Sequence, residues 1–127
     1  MPSLEMKKWR INSFHFDMEN LKNGDNELQL GVSFSTILSK NNERNDGRIQ
    51  IEFNAKTQDE KIFLKVILDT LFVYLVDGLS SEEKESLLIQ EGSPEAYEKM
   101  RCILNDFMDQ AQAKRLVLPE YSELQKN

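Results

Sequence analysis

The 127-residue sequence predicts an α+β fold, a four-stranded antiparallel meander sheet with a short and a long C-terminal helix on one face. Three observations predict it. Apolar and polar residues alternate over residues 28–35 and again over 49–56, the period of a strand with one face in the core. Residues 61–79, KIFLKVILDTLFVYLVDGL, are apolar in both phases and form the most hydrophobic stretch of a polar chain. After Gly78 the apolar spacing changes to three and four, as on one face of a helix.

In chain order, Trp9 and Ile11 share one strand phase while Phe14 and Phe16 share the other, which predicts a bulge near Asn12 and Ser13. Residues 19–26, with Asn23-Gly24-Asp25, read as a loop. Leu28, Leu30, Val32 and Phe34 form the inner row of a second strand. A polar turn over 41–47 follows, its Asp46-Gly47 pair suited to positive φ. Ile49, Ile51, Phe53 and Ala55 make a third inner row, and a turn over 58–61 leads into the apolar stretch. A strand there is preferred because Val, Ile, Phe and Tyr are frequent and residues 62–68 alternate with period two. The recurrence of Leu64, Ile67, Leu68, Leu71, Phe72 and Leu75 also fits a helix. A membrane span is not expected, because Lys65 and Asp69 interrupt the run and about 18 uncharged apolar residues are needed. A strand apolar on both faces needs cover on both, from its own chain or from a partner.

Ser80 with Glu83 three residues later is a capping box opening a short helix, which Gly92 closes. Ser93-Pro94 starts a second, long helix, with Ser as N-cap and Pro at the first position. Ala96, Met100, Ile103, Leu104, Phe107, Met108 and Ala111 are its apolar stripe, running to about Ala113. Residues 116–119 form an apolar extended tail ended by Pro119. No boundary or repeat divides residues 1–127, so a single domain is expected.

The net charge of −6 and pI near 4.9 argue against nucleic acid and against anionic membranes, since no cationic surplus displaces counterions. One cysteine, Cys102, permits neither an intramolecular disulfide nor a multi-cysteine zinc site. The first ten residues lack the apolar run of a signal peptide, and a cytoplasmic protein is expected.

Arg10-Ile11 with Phe14-His15-Phe16-Asp17 resembles the first strand of the SecB-like export-chaperone superfamily. Residues 27–32, ELQLGV, resemble the start of its second strand, and residues 72–79, FVYLVDGL, the end of its fourth. Residues 104–118 resemble its principal helix and the extended segment after it. The chain is most similar to a short branch of that superfamily. The resemblance implies a SecB-like fold, subunits paired through strands and helices as a dimer or tetramer, and hydrophobic grooves for unfolded polypeptide. It further implies an acidic sheet surface that docks the SecA motor. Asp17 matches one of those acids, but Ser13 and Lys65 stand where others are expected, which argues against SecA as partner. Asp69, Thr70 and Leu71 replace the paired glycines of the fourth strand, and the chaperones' final helix and tail are missing.

His15 and Cys102 could make a nucleophilic pair, but no orienting group or oxyanion hole is in view, and packing roles are preferred. Glu82, Glu83, Glu85, Glu95 and Glu98 lack the histidines of a bundle metal site and read as a solvated helix start. No glycine-rich phosphate loop occurs. The expectation is a non-enzymatic oligomer without cofactor or metal that holds non-native polypeptide. Candidate polypeptide contacts are Leu71, Val73, Leu116 and Leu118, and candidate oligomer contacts are Leu64, Val66 and Leu68. An oligomeric adaptor binding one folded partner through an acidic face is the alternative, and a small-ligand protein or enzyme the third.

Overall fold

The computed structural model describes residues 3–17, 28–38, 45–57, 61–111 and 118–124. The elements are β1 (Leu4–Phe16), β2 (Gln29–Leu38), β3 (Asp46–Lys56), β4 (Ile62–Tyr74), α1 (Ser81–Leu87), a π-helical turn (Leu88–Gly92), α2 (Ser93–Gln110) and the one-turn α3 (Tyr121–Leu124). The four strands form one antiparallel sheet, with the helices of residues 81–110 across one face, as expected. The loops read at 19–26, 41–44 and 58–60, together with residues 112–117, lie outside the described residues.

The strand order is β1-β4-β3-β2, so the meander holds for β2, β3 and β4, while β1 returns to pair with β4. That is a Greek-key arrangement. A four-strand meander would leave β4, apolar on both phases, at an edge with its backbone unpaired. Pairing with β1 moves it inside and leaves the more polar β1 and β2 as the edges.

β1 stays in step with β4 by means of two bulges, at Lys7 and Asn12. The second lies where the phase switch predicted it. Together they bring Leu4, Met6, Trp9, Ile11, Phe14 and Phe16 to one side, opposite Tyr74, Phe72, Thr70, Leu68, Val66 and Leu64. The same side of β3 carries Ile49, Ile51, Phe53 and Ala55, all fully enclosed. Thr70 is the polar member of this layer, and its hydroxyl donates to the Ile49 carbonyl at 2.7 Å, so its burial leaves no hydroxyl proton unpaired.

The capping box forms as read: the Glu83 N–H donates to Ser80 Oγ at 3.1 Å and the Ser80 N–H to Glu83 Oε1 at 3.1 Å. The Ser80 N–H, and after it the Ser80 hydroxyl, stabilise the charged Glu83 carboxylate and hold it below its usual range. The predicted break at Gly92 does not occur. Gly92 has φ −76° and ψ −42° and is itself the N-cap of α2, Ser93 is helical, and the Ser93 N–H donates to the Leu88 carbonyl five residues back. The wide turn suits Pro94, whose ring would otherwise press on the carbonyl four residues before it. Gly92 serves the approach of helix to sheet, since a Cβ there would stand 2.8 Å from Ile49 Cδ1. Because Ile49 is fully enclosed, Gly92→Ala is expected to cost about 1–3 kcal/mol by overpacking. Alanine gains roughly 1 kcal/mol over glycine at a helical position, so the net loss is up to about 2 kcal/mol. Trimming the clash with Ile49→Val should recover part of that loss, as read by a double-mutant cycle in urea.

Gly47 is corrected for the same reason. Asp46 and Gly47 belong to β3, and among the described residues only Gly78 has positive φ. A Cβ on Gly47 would meet Leu88 Cδ2 at 3.0 Å and the Tyr74 hydroxyl at 3.1 Å. That hydroxyl donates to the Lys84 carbonyl at 2.7 Å and ties β4 to α1. Burial, helped by the charge of Asp46, pushes the Tyr74 phenol up to about 12. The fold thus favours the neutral phenol: its contribution is intact below the ordinary value of 10.0 and is lost as pH rises through about 12. Tyr74→Phe has nothing to ionise and should lose less stability between about pH 9 and about pH 11.5 than the parent, measured by urea titration.

Candidate polypeptide-binding groove

The helix layer covers β4 and β3 more completely than the two edges of the sheet. Ala96, Tyr97, Met100, Leu104 and Met108 of α2 are fully buried, Ile103 and Phe107 half-buried, and Ala111 exposed at the C-cap. Tyr97 is absent from the stripe read in the sequence. Its spacing of three from Met100 and seven from Leu104 places it on that face, and Tyr at such a position is readily taken for a surface residue.

Tyr97 carries its ring into the core and its hydroxyl to the margin, where it donates to the Pro119 carbonyl at 2.7 Å. Burial pushes this phenol up, against the pull of the Arg101 charge. Arg101 donates to Glu98 Oε1 at 2.8 Å and reaches Glu120 Oε2 at 3.3 Å. One turn of α2 thereby pins residues 118–124 beside β2. The Tyr121 ring stands edge-on to Phe34, with centroids 5.8 Å apart, and 6.1 Å from the ring of Tyr97.

Between this segment and the β2 edge lies a groove of about 420 Å³, lined by Leu30, Val32, Phe34, Phe53, Pro119, Tyr121, Glu123 and Leu124. Leu30, Val32 and Phe34 are alternate residues of β2 and share the helix side with Ala55, Phe53 and Ile51. Six of the eight lining residues are apolar and a seventh is aromatic, and Glu123 alone is charged. Such a surface selects by shape and apolarity and offers no arrangement for bond-making chemistry.

The candidate contacts from the sequence do not come together. Leu118 is half-buried against the core beside the groove, and Leu116 lies outside the described residues. Leu71 and Val73 are half-buried on the opposite, uncovered face of the sheet. There a cleft of about 310 Å³ is lined by Lys8, Trp9, Arg10, Arg48, Asp69 and Leu71, with Arg48 3.8 Å from Asp69. Its charge is the reverse of an acidic docking face, since three cations surround one carboxylate.

Leu64, Val66 and Leu68, read as oligomer contacts, are each 0% exposed beneath the chain's own helices. The alternation was sound; their side of the strand is filled from within, so they offer no surface to a second subunit in this conformation. Of the exposed large apolar side chains among the described residues, Trp9 (47%), Ile11 (37%) and Phe14 (37%) form a row on the helix side of β1, while Leu30, Ile37, Leu75, Val76 and Ile89 lie elsewhere. Lys99 Nζ lies 5.4 Å above the Trp9 ring, and Phe14 packs on Phe107 with centroids 4.6 Å apart. No signal distinguished this row in the sequence beyond its phase switch.

His15 faces the uncovered side, opposite Lys65, whereas Cys102 is exposed on α2, so the sheet separates the suggested nucleophilic pair. Among the described residues no cluster of His, Cys, Asp or Glu could hold a metal ion, and no helix is long and apolar enough to cross a membrane.

No family model and no curated protein matches the sequence. Among solved structures the chain is similar to a SecB-like chaperone of Mycobacterium tuberculosis, in complex with a ChAD peptide from the HigA1 antitoxin. The TM-score is 0.67 at 12% identity, over 92% of this chain and 86% of that one. A protein of unknown function from Streptococcus agalactiae aligns at TM-score 0.43 and 16% identity, over 93% of this chain and 97% of that one.

Proposed function

We propose, with the SecB-like fold as the premise, that this chain is a non-catalytic binder of non-native polypeptide and works as a homo-oligomer. The groove between β2 and residues 118–124 carries the reading: six of its eight lining side chains are apolar, and Tyr121, backed by the buried ring of Tyr97, stands at its wall. The mycobacterial chaperone, which shares the fold, was solved with a peptide of a partner protein, and this supports a binding role.

The energetics suit transient holding. Burial of one apolar side chain contributes about 1.5–3 kcal/mol, and ordering each residue of the bound segment costs about 1–2 kcal/mol. A single anchor therefore barely holds, and several must engage together. Unfolded chains offer such runs and folded proteins do not. The observation to make is aggregation of chemically denatured proteins on dilution. Stoichiometric amounts of this protein should slow it, and no effect on several unrelated clients would sink the reading.

Self-association is assigned to the row Trp9, Ile11 and Phe14. Its exposure on one side of an edge strand, next to α2, makes an apolar surface that a second copy would cover by side-chain contact. Trp9→Asp is expected to shift the species seen by light scattering toward monomer and to change the unfolding midpoint of the monomer little.

An adaptor role is the second reading. Its surface is the outer side of the helices, where Glu82, Glu83, Glu85, Glu91, Glu95 and Glu98 are all exposed. It requires a single folded partner whose capture weakens steeply with salt, together with no suppression of client aggregation.

A further inference from the structure

The two edges of the sheet are built differently. β1 carries Lys7, Lys8 and Arg10, and its register is broken at Lys7 and again at Asn12. Edge cations and bulges are the means by which a strand avoids recruiting another. β2 has neither. Its ten residues, QLGVSFSTIL, contain no charge and no proline, and they pair with β3 from Gln29 to Leu38 without a register shift. Among the described residues no strand lies beyond it. A straight, uncharged edge of this length is a template for a further strand, and here the apolar groove lies directly under it.

We propose that β2 captures an extended segment of non-native polypeptide as a fifth strand of the sheet. The inference rests on the groove reading above and specifies how that groove is used. Alternate residues of β2 turn their backbone N–H and C=O groups away from β3, and these pair with the main chain of the incoming segment. Every second side chain of that segment, about 7 Å apart, then projects to the helix side, over Tyr121, Leu124 and Pro119. The intervening side chains project to the other side, where β2 presents Gly31, Ser33 and Ser35 and, at its end, the exposed Ile37. The preferred occupant thus alternates apolar and polar residues, lacks proline, and is not acidic on its apolar phase, where Glu123 would oppose it. Main-chain pairing is common to nearly all residues, so the mode tolerates many sequences.

A second copy of this chain suits the slot less well. Its own Leu30, Val32 and Phe34 already face its own groove, and pairing β2 with β2 would leave both grooves unfilled.

The test is fluorescence anisotropy with the full-length protein and a labelled ten-residue peptide of alternating Leu and Ser. Two further peptides carry N-methyl groups on alternate backbone amides, one in each phase. Methylation in one phase is expected to weaken binding at least tenfold, and in the other phase to change it less than threefold. Hydrogen exchange of alternate β2 amides should slow when the parent peptide binds. If both methylated peptides bind like the parent, the groove grips side chains alone; strand addition is overturned while polypeptide binding stands. If the parent itself does not bind, the groove reading fails and this inference with it. Protection of β2 amides that grows with protein concentration and resists the peptide would place a second copy in the slot and overturn the proposal.

Discussion

Leu68→Ala is expected to lower the stability of the chain by about 2–5 kcal/mol, the range for truncating a fully buried leucine. Leu68 sits between Ile11 and Ile51 in the register and is 0% exposed beneath the helices. The cavity would open inside one subunit, where neither solvent nor a partner can fill it. The displacement of the urea midpoint from that of the parent should therefore be the same at every protein concentration. Were Leu68 an interface residue, the displacement would shrink on dilution, because dissociated parent subunits would not have the contact to lose. The Trp9→Asp variant should show the opposite pattern, with altered association and a small loss of stability. Equal behaviour of the two variants would undo the assignment of both surfaces.

The second large effect is expected from Phe34→Asp. Phe34 lies midway along β2, half-buried, with its ring against Tyr121 and 6.4 Å from that of Tyr97. Each β2 residue that lines the groove alternates with one that does not, so this substitution alters the groove without touching the opposite face. A carboxylate here repels Glu123 and must be desolvated by any apolar side chain that enters, a cost of several kcal/mol. Peptide affinity should fall by at least a hundredfold, and suppression of aggregation should disappear. Phe34 also packs on the core, so the midpoint of unfolding must be measured alongside. Phe34→Leu, which keeps an apolar side chain and removes the ring contacts, serves as the control and should retain most binding. If Phe34→Asp folds and still holds clients, the groove is not where they bind.

Much of the fold could be read from local pattern because β2 and β3 each encode their own inner face. The alternation of Leu30, Val32 and Phe34, and of Ile49, Ile51 and Phe53, follows from the pleat of a single strand. The bulge at Asn12 was visible as a change of phase, and the capping box at Ser80 as a four-residue motif. The break at Gly92 was misplaced because glycine fits both a helix end and a close contact, and only the position of Ile49 chooses between them. The positive φ expected at Gly47 failed likewise, against Leu88 and Tyr74.

The candidate site was far less legible, since its parts are distant in sequence and individually ordinary. Nothing local relates Phe34 to Tyr121, and the link runs through the hydroxyl of Tyr97 to the carbonyl of Pro119. Leu71 and Leu68 look equivalent in a run of apolar residues, but the sheet sends them to opposite faces, one half-covered and one sealed. By itself the sequence determined the alternating inner rows of β2 and β3, the phase switch in β1 and the helical C-terminal half, because these follow from periodicity and capping within short segments. Only the tertiary structure decided that β4 lies inside the sheet, that its inner row is covered from within, and that β2 is an edge strand beside a groove, with no further strand beyond it among the described residues. Those outcomes depend on strand order, which is set by packing between distant segments and has no local signature.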